Sequence, residues 1–392
     1  MQKIKVIITQ LPIDTFSYFQ WFLLGLYELE IKGEIELKFK ISLLDKIVLL
    51  WFNNKYLAGV IRQLKHRILK VPRYNLLGYI ESNNIRKSFV IDSKDSPFIF
   101  NVEHLKNYNC YFKNQCPKTI TKEGFNITPN ILVPYFDINL GTNNHPNDMY
   151  SRIVSDDIFK LKSKIYPGMV GPRRLAWSCK YKIMKKQYEK YLQSQNVIQT
   201  KKIVAYFGSA FGPQASSKSL SFDLDWEPDL MAFLNKKGNH PNEKRAIAVD
   251  ILNSIKKEEY DGRLIFDTNK ITHKDKIVNL SDFCDFIAQF SYNLNISGFR
   301  LSIPNRFIES FIGGTAILTD KLYVKWYLPF EQEVVETTDM GYLNNHDVNW
   351  DQFKNDLIKL PTNSKEDIIN LYEKKWSPIV FANYIIRTTL NS

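Results

Sequence analysis

Residues 291–330, SYNLNISGFRLSIPNRFIESFIGGTAILTDKLYVKWYLPF, constrain the fold more than any other stretch. An apolar-alternating run ends in Gly298, and a segment with helical spacing then carries Arg306 and Glu309. The pair Gly313 and Gly314 leads into the apolar run Thr315-Ala316-Ile317-Leu318, which Asp320 closes. Strand, turn, helix, turn, strand is a βαβ unit, and such units build parallel sheets. Ligands of open parallel sheets sit at the carboxyl ends of the strands. Arg300, Arg306 and Glu309 fall in or just after that turn. An Arg near a helix start can pair with a diphosphate. A carboxylate three residues on lies on the same helix face and can accept from ribose or sugar hydroxyls. Glycines at the far turn, Gly313 first, let the backbone approach a ligand or bend sharply. These residue types suit a nucleotide-sugar.

The order and spacing of these blocks resemble the C-terminal, donor-binding half of GT-B glycosyltransferases, in particular the exostosin-like and group 1 transferases. The family pattern runs S-x-F-x-L-x-P-x-G, S-x-R-x-x-E-A, G-x-x-P-V, D and L-P-F. Here the matching residues are Ser291, Gly298, Arg306, Glu309, Gly313, Gly314, Asp320 and Leu328-Pro329-Phe330. Two positions depart: the Pro before Val is missing, and Ser310 stands where the family has Ala. The resemblance covers about a tenth of the chain closely and the C-terminal half loosely. It implies an α/β fold of two Rossmann-like domains facing across a cleft, with a C-terminal helix crossing back to the first domain near Trp376 and Pro378.

A length of 392 residues suggests two domains. Hydrophobic content of 44% and charged content of 24% belong to a globular chain. The net charge of +12 is uneven: residues 1–190 hold 30 Lys+Arg against 16 Asp+Glu, and the remainder is slightly acidic. The first half therefore suits an anionic partner such as a membrane face, lipid phosphate, acidic glycan or nucleic acid. Four Cys in no pattern form neither a disulfide framework nor a zinc site, which reads as reduced thiols in the cytoplasm. MQKIKVIIT reads as a first strand rather than a leader, and no run is long enough to span a bilayer.

The expected boundaries are an acceptor-binding domain over 1–195, a donor-binding domain over 196–375, and a returning helix over 376–392. The first domain opens as strand, helix, strand over Lys3–Thr9, Tyr18–Glu30 and Glu34–Ile41. Residues 43–74 read as a long basic helix with seven Lys+Arg and one Asp, either a core helix with a solvated face or one docked on anionic lipid. Strands follow at Lys87–Asp92, Tyr108–Lys113 and Asn130–Tyr135, and residues 172–194 read as a basic amphipathic helix. Ile203–Phe207 opens the second domain and runs into a small-residue loop at Gly208 and Ser209.

The expected donor contacts are Gly208, Ser209, Lys244, Arg245, Arg300, Arg306, Glu309 and Gly313. Lys244 and Arg245 sit at a helix start, where cations oppose the macrodipole. Each has a plainer reading: an internal Arg306–Glu309 pair, a solvated helix start, a simple turn at Gly208. Asp14 and Asp92 are the expected catalytic bases, with Asp95 and His104 as further candidates, because inverting transfer needs a proton acceptor. The D-x-D at Asp223 and Asp225 stands too late in the chain for the metal site of the other transferase fold, so no metal is expected. The expected activity is metal-independent transfer from a nucleotide-sugar, with no separate cofactor, to a cell-surface glycan or lipid-linked acceptor. The expected location is cytoplasmic or peripheral on the inner membrane face. The alternatives are a basic membrane- or nucleic-acid-binding protein without catalysis, or another nucleotide-sugar enzyme. No nucleic-acid motif is present, and an epimerase would need a glycine fingerprint that the loop after Thr9 lacks.

Overall fold

A computed structural model describes residues 3–13, 15–51, 74–94, 102–120, 126–128, 131–132, 156–173, 175–200, 203–209, 241–255, 260–266, 280–297, 302–338 and 348–392. The fold is mixed α/β with two main sheets. The first holds β1 (Ile4–Gln10), β2 (Ile35–Phe39), β3 (Asn75–Ser82), β4 (Ile85–Asp92), β5 (Cys110–Lys113) and β6 (Ile165–Pro167), in the order β2-β1-β3-β4-β5-β6. Strand β3 runs antiparallel to both neighbours, and the other pairings are parallel. The sequence reading expected no strand between Ile41 and Lys87 and a Rossmann-like sheet, so the antiparallel β3 and the mixed sheet it makes are a correction. Its cause is local. Asn83 and Asn84 hold φ of 48° and 63°, the doubly left-handed turn that joins hairpin strands and that Asn tolerates better than most residues.

The second sheet holds β7 (Val204–Ser209), β8 (Tyr260–Phe266), β9 (Tyr292–Asn295), β10 (Ala316–Thr319) and β11 (Val334–Glu336), in the order β8-β7-β9-β10-β11. Every pairing in it is parallel. Strands β9 and β10 are buried along their whole length, as a sheet covered on both faces requires. The helices that matter here are α1 (Gln20–Ile31), α2 (Tyr181–Leu192), α3 (Pro241–Ser254), α4 (Leu280–Ile287), α5 (Arg306–Ile312), α6 (Trp350–Ile358), α7 (Lys365–Leu371) and α8 (Pro378–Asn391). Helix α5 is the crossover between β9 and β10. It ends at Gly313, and Gly314 then takes a φ of 80°, which favours glycine. The expected helix over 172–194 begins only at Tyr181, so residues 175–180 form an irregular approach to it.

The last helix, α8, lies against α1 and against β3, β4 and β5 of the first sheet. Gly25 permits the contact with α1: a Cβ there would stand 2.0 Å from the Pro378 carbonyl oxygen. The turn before α8 is fastened on both sides. The Trp21 indole N–H donates to the Trp376 carbonyl at 3.0 Å, and the Trp376 indole donates to Glu333 at 3.2 Å. Lys375 bonds Glu333 at 3.0 Å and the Pro329 carbonyl at 2.9 Å. Phe311, Trp326, Tyr327 and Phe330 pack around the Trp376 ring. Phe311, Trp326 and Trp376 are buried, and full burial of such a ring contributes on the order of 2–3 kcal/mol.

Chain segments leaving the carboxyl ends of both sheets meet. Gln115, just past β5, donates to the Ile303 carbonyl and accepts from the Ile303 N–H, each at 2.9 Å. Asn305 donates to the Gly171 carbonyl at 2.6 Å. Cys116–Pro117 pairs antiparallel with Val324–Lys325. Residues 303–305 follow β9 and residues 324–325 follow β10, so the loops at the two carboxyl edges are bonded to each other. Among the described residues no helix is long and apolar enough to cross a membrane.

Candidate anion site at the carboxyl edge of the second sheet

Two arginines grip the ends of neighbouring strands. Arg306, at the start of α5, donates to the Phe207 carbonyl of β7 at 3.5 Å. Arg245, in the second turn of α3, donates to the Ile296 carbonyl just past β9 at 3.3 Å. Tyr206 pairs with Leu294, so the two carbonyls lie at the same end of adjacent strands. Arg306 has no ion-pair partner among the described residues. Burial holds its guanidinium below the usual arginine range; the nearby Arg245 and Arg173 cations add to that, while Tyr206 and Glu309 oppose it. Cations gathered in a partly dry place repel one another, and an anion relieves both the repulsion and the desolvation.

The third arginine comes from the first half of the chain. Arg173 bonds Glu309 through its backbone N–H at 2.8 Å, Nε at 3.2 Å and Nη2 at 3.3 Å. The carboxylate is fully buried, whereas the arginine side chain keeps 47% of its surface exposed. The guanidinium also lies over the Phe283 ring, 5.3 Å from its centroid. Glu309 beside it raises the Arg173 pKa. The plainer alternative, an internal Arg306–Glu309 pair, does not form. Glu309 instead anchors an arginine remote in sequence, and its oxygens are not open to a sugar hydroxyl.

A polar ladder completes this edge. Asn295 donates to Thr319 at 2.9 Å, Thr319 donates to Asp320 at 3.1 Å, and the Ser297 hydroxyl donates to Asp320 at 2.8 Å. Burial pushes the Asp320 carboxyl up to about 6, against the pull of the Ser297 and Thr319 bonds and of Arg245. Deeper in the sheet, Asn293 donates to the Ser310 hydroxyl at 2.9 Å. That buried bond gives a physical reason for Ser where the resembled family has Ala.

The other expected site residues fall as follows. Gly208 and Ser209 form the end of β7, beside the carbonyl that Arg306 grips. Lys244 is buried within α3 rather than turned to solvent. Gly313 caps the end of α5 away from Arg306, where a Cβ would stand 3.0 Å from the Ala288 Cβ, so its smallness serves packing. Asp14 and Arg300 lie outside the described residues, as do Asp95, Asp223 and Asp225. Asp92 ends β4 but is buried. It accepts from the Tyr111 hydroxyl at 2.7 Å, Lys113 at 3.0 Å and the Lys94 N–H at 2.9 Å, which leaves no open face for an attacking hydroxyl. The expectation that it serves as a base is corrected to a buried ion pair at the sheet edge. His104 is half-buried near that edge, 2.8 Å from the Asn75 amide, and burial lowers its imidazole pKa.

Sequence reasoning missed Arg173, Gln115 and Asn305. Arg173 carries a signal, a basic pair after Pro172 ahead of a helix, but its partner lies 136 residues away. Among the described residues no group of three or more His, Cys, Asp or Glu side chains is placed to hold a metal ion. An open depression of about 380 Å³ lies elsewhere, at the β3–β4 turn among Lys3, Lys5, Glu36, Glu81 and Arg86, where the charges already pair across strands. No protein-family model matches the chain, and no curated protein matches it.

Proposed function

We propose that this chain is a GT-B glycosyltransferase that moves a sugar from a nucleotide-sugar to a glycan or lipid-linked acceptor of surface polysaccharide synthesis. The observation that carries the reading is the convergence of Arg173, Arg245 and Arg306 at the carboxyl edge of a fully parallel sheet. Support also comes from the contacts between loops leaving the two carboxyl edges and from the helix that returns to the first sheet.

In this reading the donor diphosphate lies against the three guanidiniums. Charge grows on its bridging oxygen as the sugar–oxygen bond breaks, and fixed cations in a partly dry place stabilise that charge without rearranging. Glu309 takes no part in the transfer. It holds Arg173 by two side-chain bonds and leaves the outer side of that guanidinium toward the ligand. The acceptor approaches from the first sheet's edge, where Gln115 and the residues around Gly171 already touch the second half.

The test is release of free nucleotide from a panel of nucleotide-sugars, with and without glycan acceptors. Each charge-assisted contact contributes about 1.5–3 kcal/mol, so Arg306→Ala and Arg245→Ala should each weaken donor binding roughly 10- to 100-fold. Retention of full nucleotide binding by both variants would remove the arginine site. Stabilisation of the protein by RNA but by no nucleotide would favour a non-catalytic binding protein.

A further inference from the structure

Three of the seven exposed large hydrophobic residues among those described lie on two segments that are hydrogen-bonded to each other at Leu49. Leu43 is 64% exposed, Leu44 40% and Trp177 43%. The helical segment Leu43–Lys46 continues through residues 47–51. Its start is fixed by Ser42, whose hydroxyl accepts from the Asp45 N–H at 3.2 Å and donates to the Asp45 carboxylate at 2.6 Å. Val48 and Leu49 face the core, while Leu43 and Leu44 face out and Ile47 and Leu50 are only partly covered. An outward face on a globular helix is ordinarily polar.

Trp177 is held beside this helix by backbone. The Leu49 carbonyl accepts from the Ser178 hydroxyl at 2.8 Å and from the Cys179 N–H at 2.6 Å. The surroundings are cationic. Lys40, Lys180, Lys182 and Lys186 are exposed, and Asp45, the one acid within 40–51, is buried under its Ser42 cap. Residues 173–186 contain no Asp or Glu. The nearest carboxylate toward α2, Glu28, is already taken by Lys185 at 2.8 Å and Tyr181 at 3.1 Å.

We propose that Leu43, Leu44 and Trp177, rimmed by Lys40, Lys180 and Lys182, dock the protein on a bilayer surface carrying anionic lipid. Apolar side chains enter the headgroup boundary, an indole suits that depth, and lysines bind the negative lipid layer. A nucleic acid would complement the lysines alone and would give Leu43 and Leu44 no role. The patch follows β2, the edge strand of the first sheet, and so opens on the same carboxyl edge as Arg173. Docking does not depend on the sugar-transfer reading. If both hold, a lipid-linked acceptor is brought to the edge where the donor lies.

The experiment is co-sedimentation of the full chain with phosphatidylcholine vesicles, with or without phosphatidylglycerol as a third of the lipid. Binding is expected to the anionic vesicles and to fall in high salt. The charge reversals Lys180→Glu and Lys182→Glu together should lower binding more than about tenfold, since each lysine lost near the surface weakens it several-fold. Leu43→Ser with Leu44→Ser should weaken it to a similar degree without changing the salt dependence. Brominated lipid should quench a part of the tryptophan emission that Trp177→Phe removes. Thermal melts check that these exposed substitutions leave the fold intact. The proposal is overturned if the wild type ignores anionic vesicles, if the leucine and Trp177 variants bind as well as the wild type, or if RNA competes fully and the leucines do not matter. None of these readouts involves sugar transfer.

Discussion

The Arg173–Glu309 pair allows a sharp test because its two ends sit in different surroundings. Glu309 is fully buried, while nearly half of the Arg173 side chain reaches water. Arg173→Ala strips two of three donors from a carboxylate that cannot hydrate, leaving only the residue 173 backbone N–H at 2.8 Å. Breaking a buried pair from one side costs about 3–5 kcal/mol, and the surviving backbone bond places this case near 3 kcal/mol. Glu309→Gln leaves the opposite orphan, a guanidinium already half in solvent. The amide oxygen can still accept from the backbone N–H, so that variant should cost only about 1–2 kcal/mol. Urea unfolding of both variants and of the double variant measures the difference. The double variant should lie closer to Glu309→Gln than to the sum, with a coupling of about 2–3 kcal/mol. Equal costs, or a larger loss from Glu309→Gln, would refute the claim that burial of the acid, rather than the pairing itself, sets the energy.

Two further outcomes concern buried groups. The Asp320 carboxyl, raised to about 6 from an ordinary value of 3.8, favours the fold while protonated. That contribution is complete below pH 3.8 and is lost as pH rises through about 6, a swing of about 3 kcal/mol. Urea stability of Asp320→Asn, compared with the wild type at pH 4.5 and 7, should lack that part of the decline. Gly25→Ala drives a methyl into the Pro378 backbone, which cannot swing aside as a side chain would. A loss of about 3 kcal/mol or more is expected, with earlier protease cleavage near residue 377; an unchanged melting temperature would contradict the close helix contact.

Much of the architecture was legible because period and punctuation agree locally. The strands at 4–10 and 35–39, the helix between them, and the helices at 350–358, 365–371 and 378–391 all follow from apolar spacing and terminal signals. The hairpin through Asn83 and Asn84 escaped because an Asn-Asn turn is a weaker signal than Asn-Gly and the preceding basic run suggested helix. At the site, the βαβ turn showed Arg306, and a cationic helix start showed Arg245. Arg173 was hidden, since a pairing over 136 residues leaves no local period. Asp92 was misjudged for a related reason: a strand-end carboxylate looks the same in sequence whether it meets solvent or a lysine on the neighbouring strand, and here Lys113 lies directly across from it.

The fastening around Trp376 bears on how the chain matures. The surface of α1 at Gly25 and the flank of β3–β5 belong to the first quarter or so of the sequence, yet their cover, α8, comes only at residues 378–391. A nascent chain therefore carries an incomplete apolar flank until α8 has been made, which invites chaperone capture meanwhile. Loss of α8 alone would uncover that flank of the first sheet, so its effect would reach far beyond the segment removed.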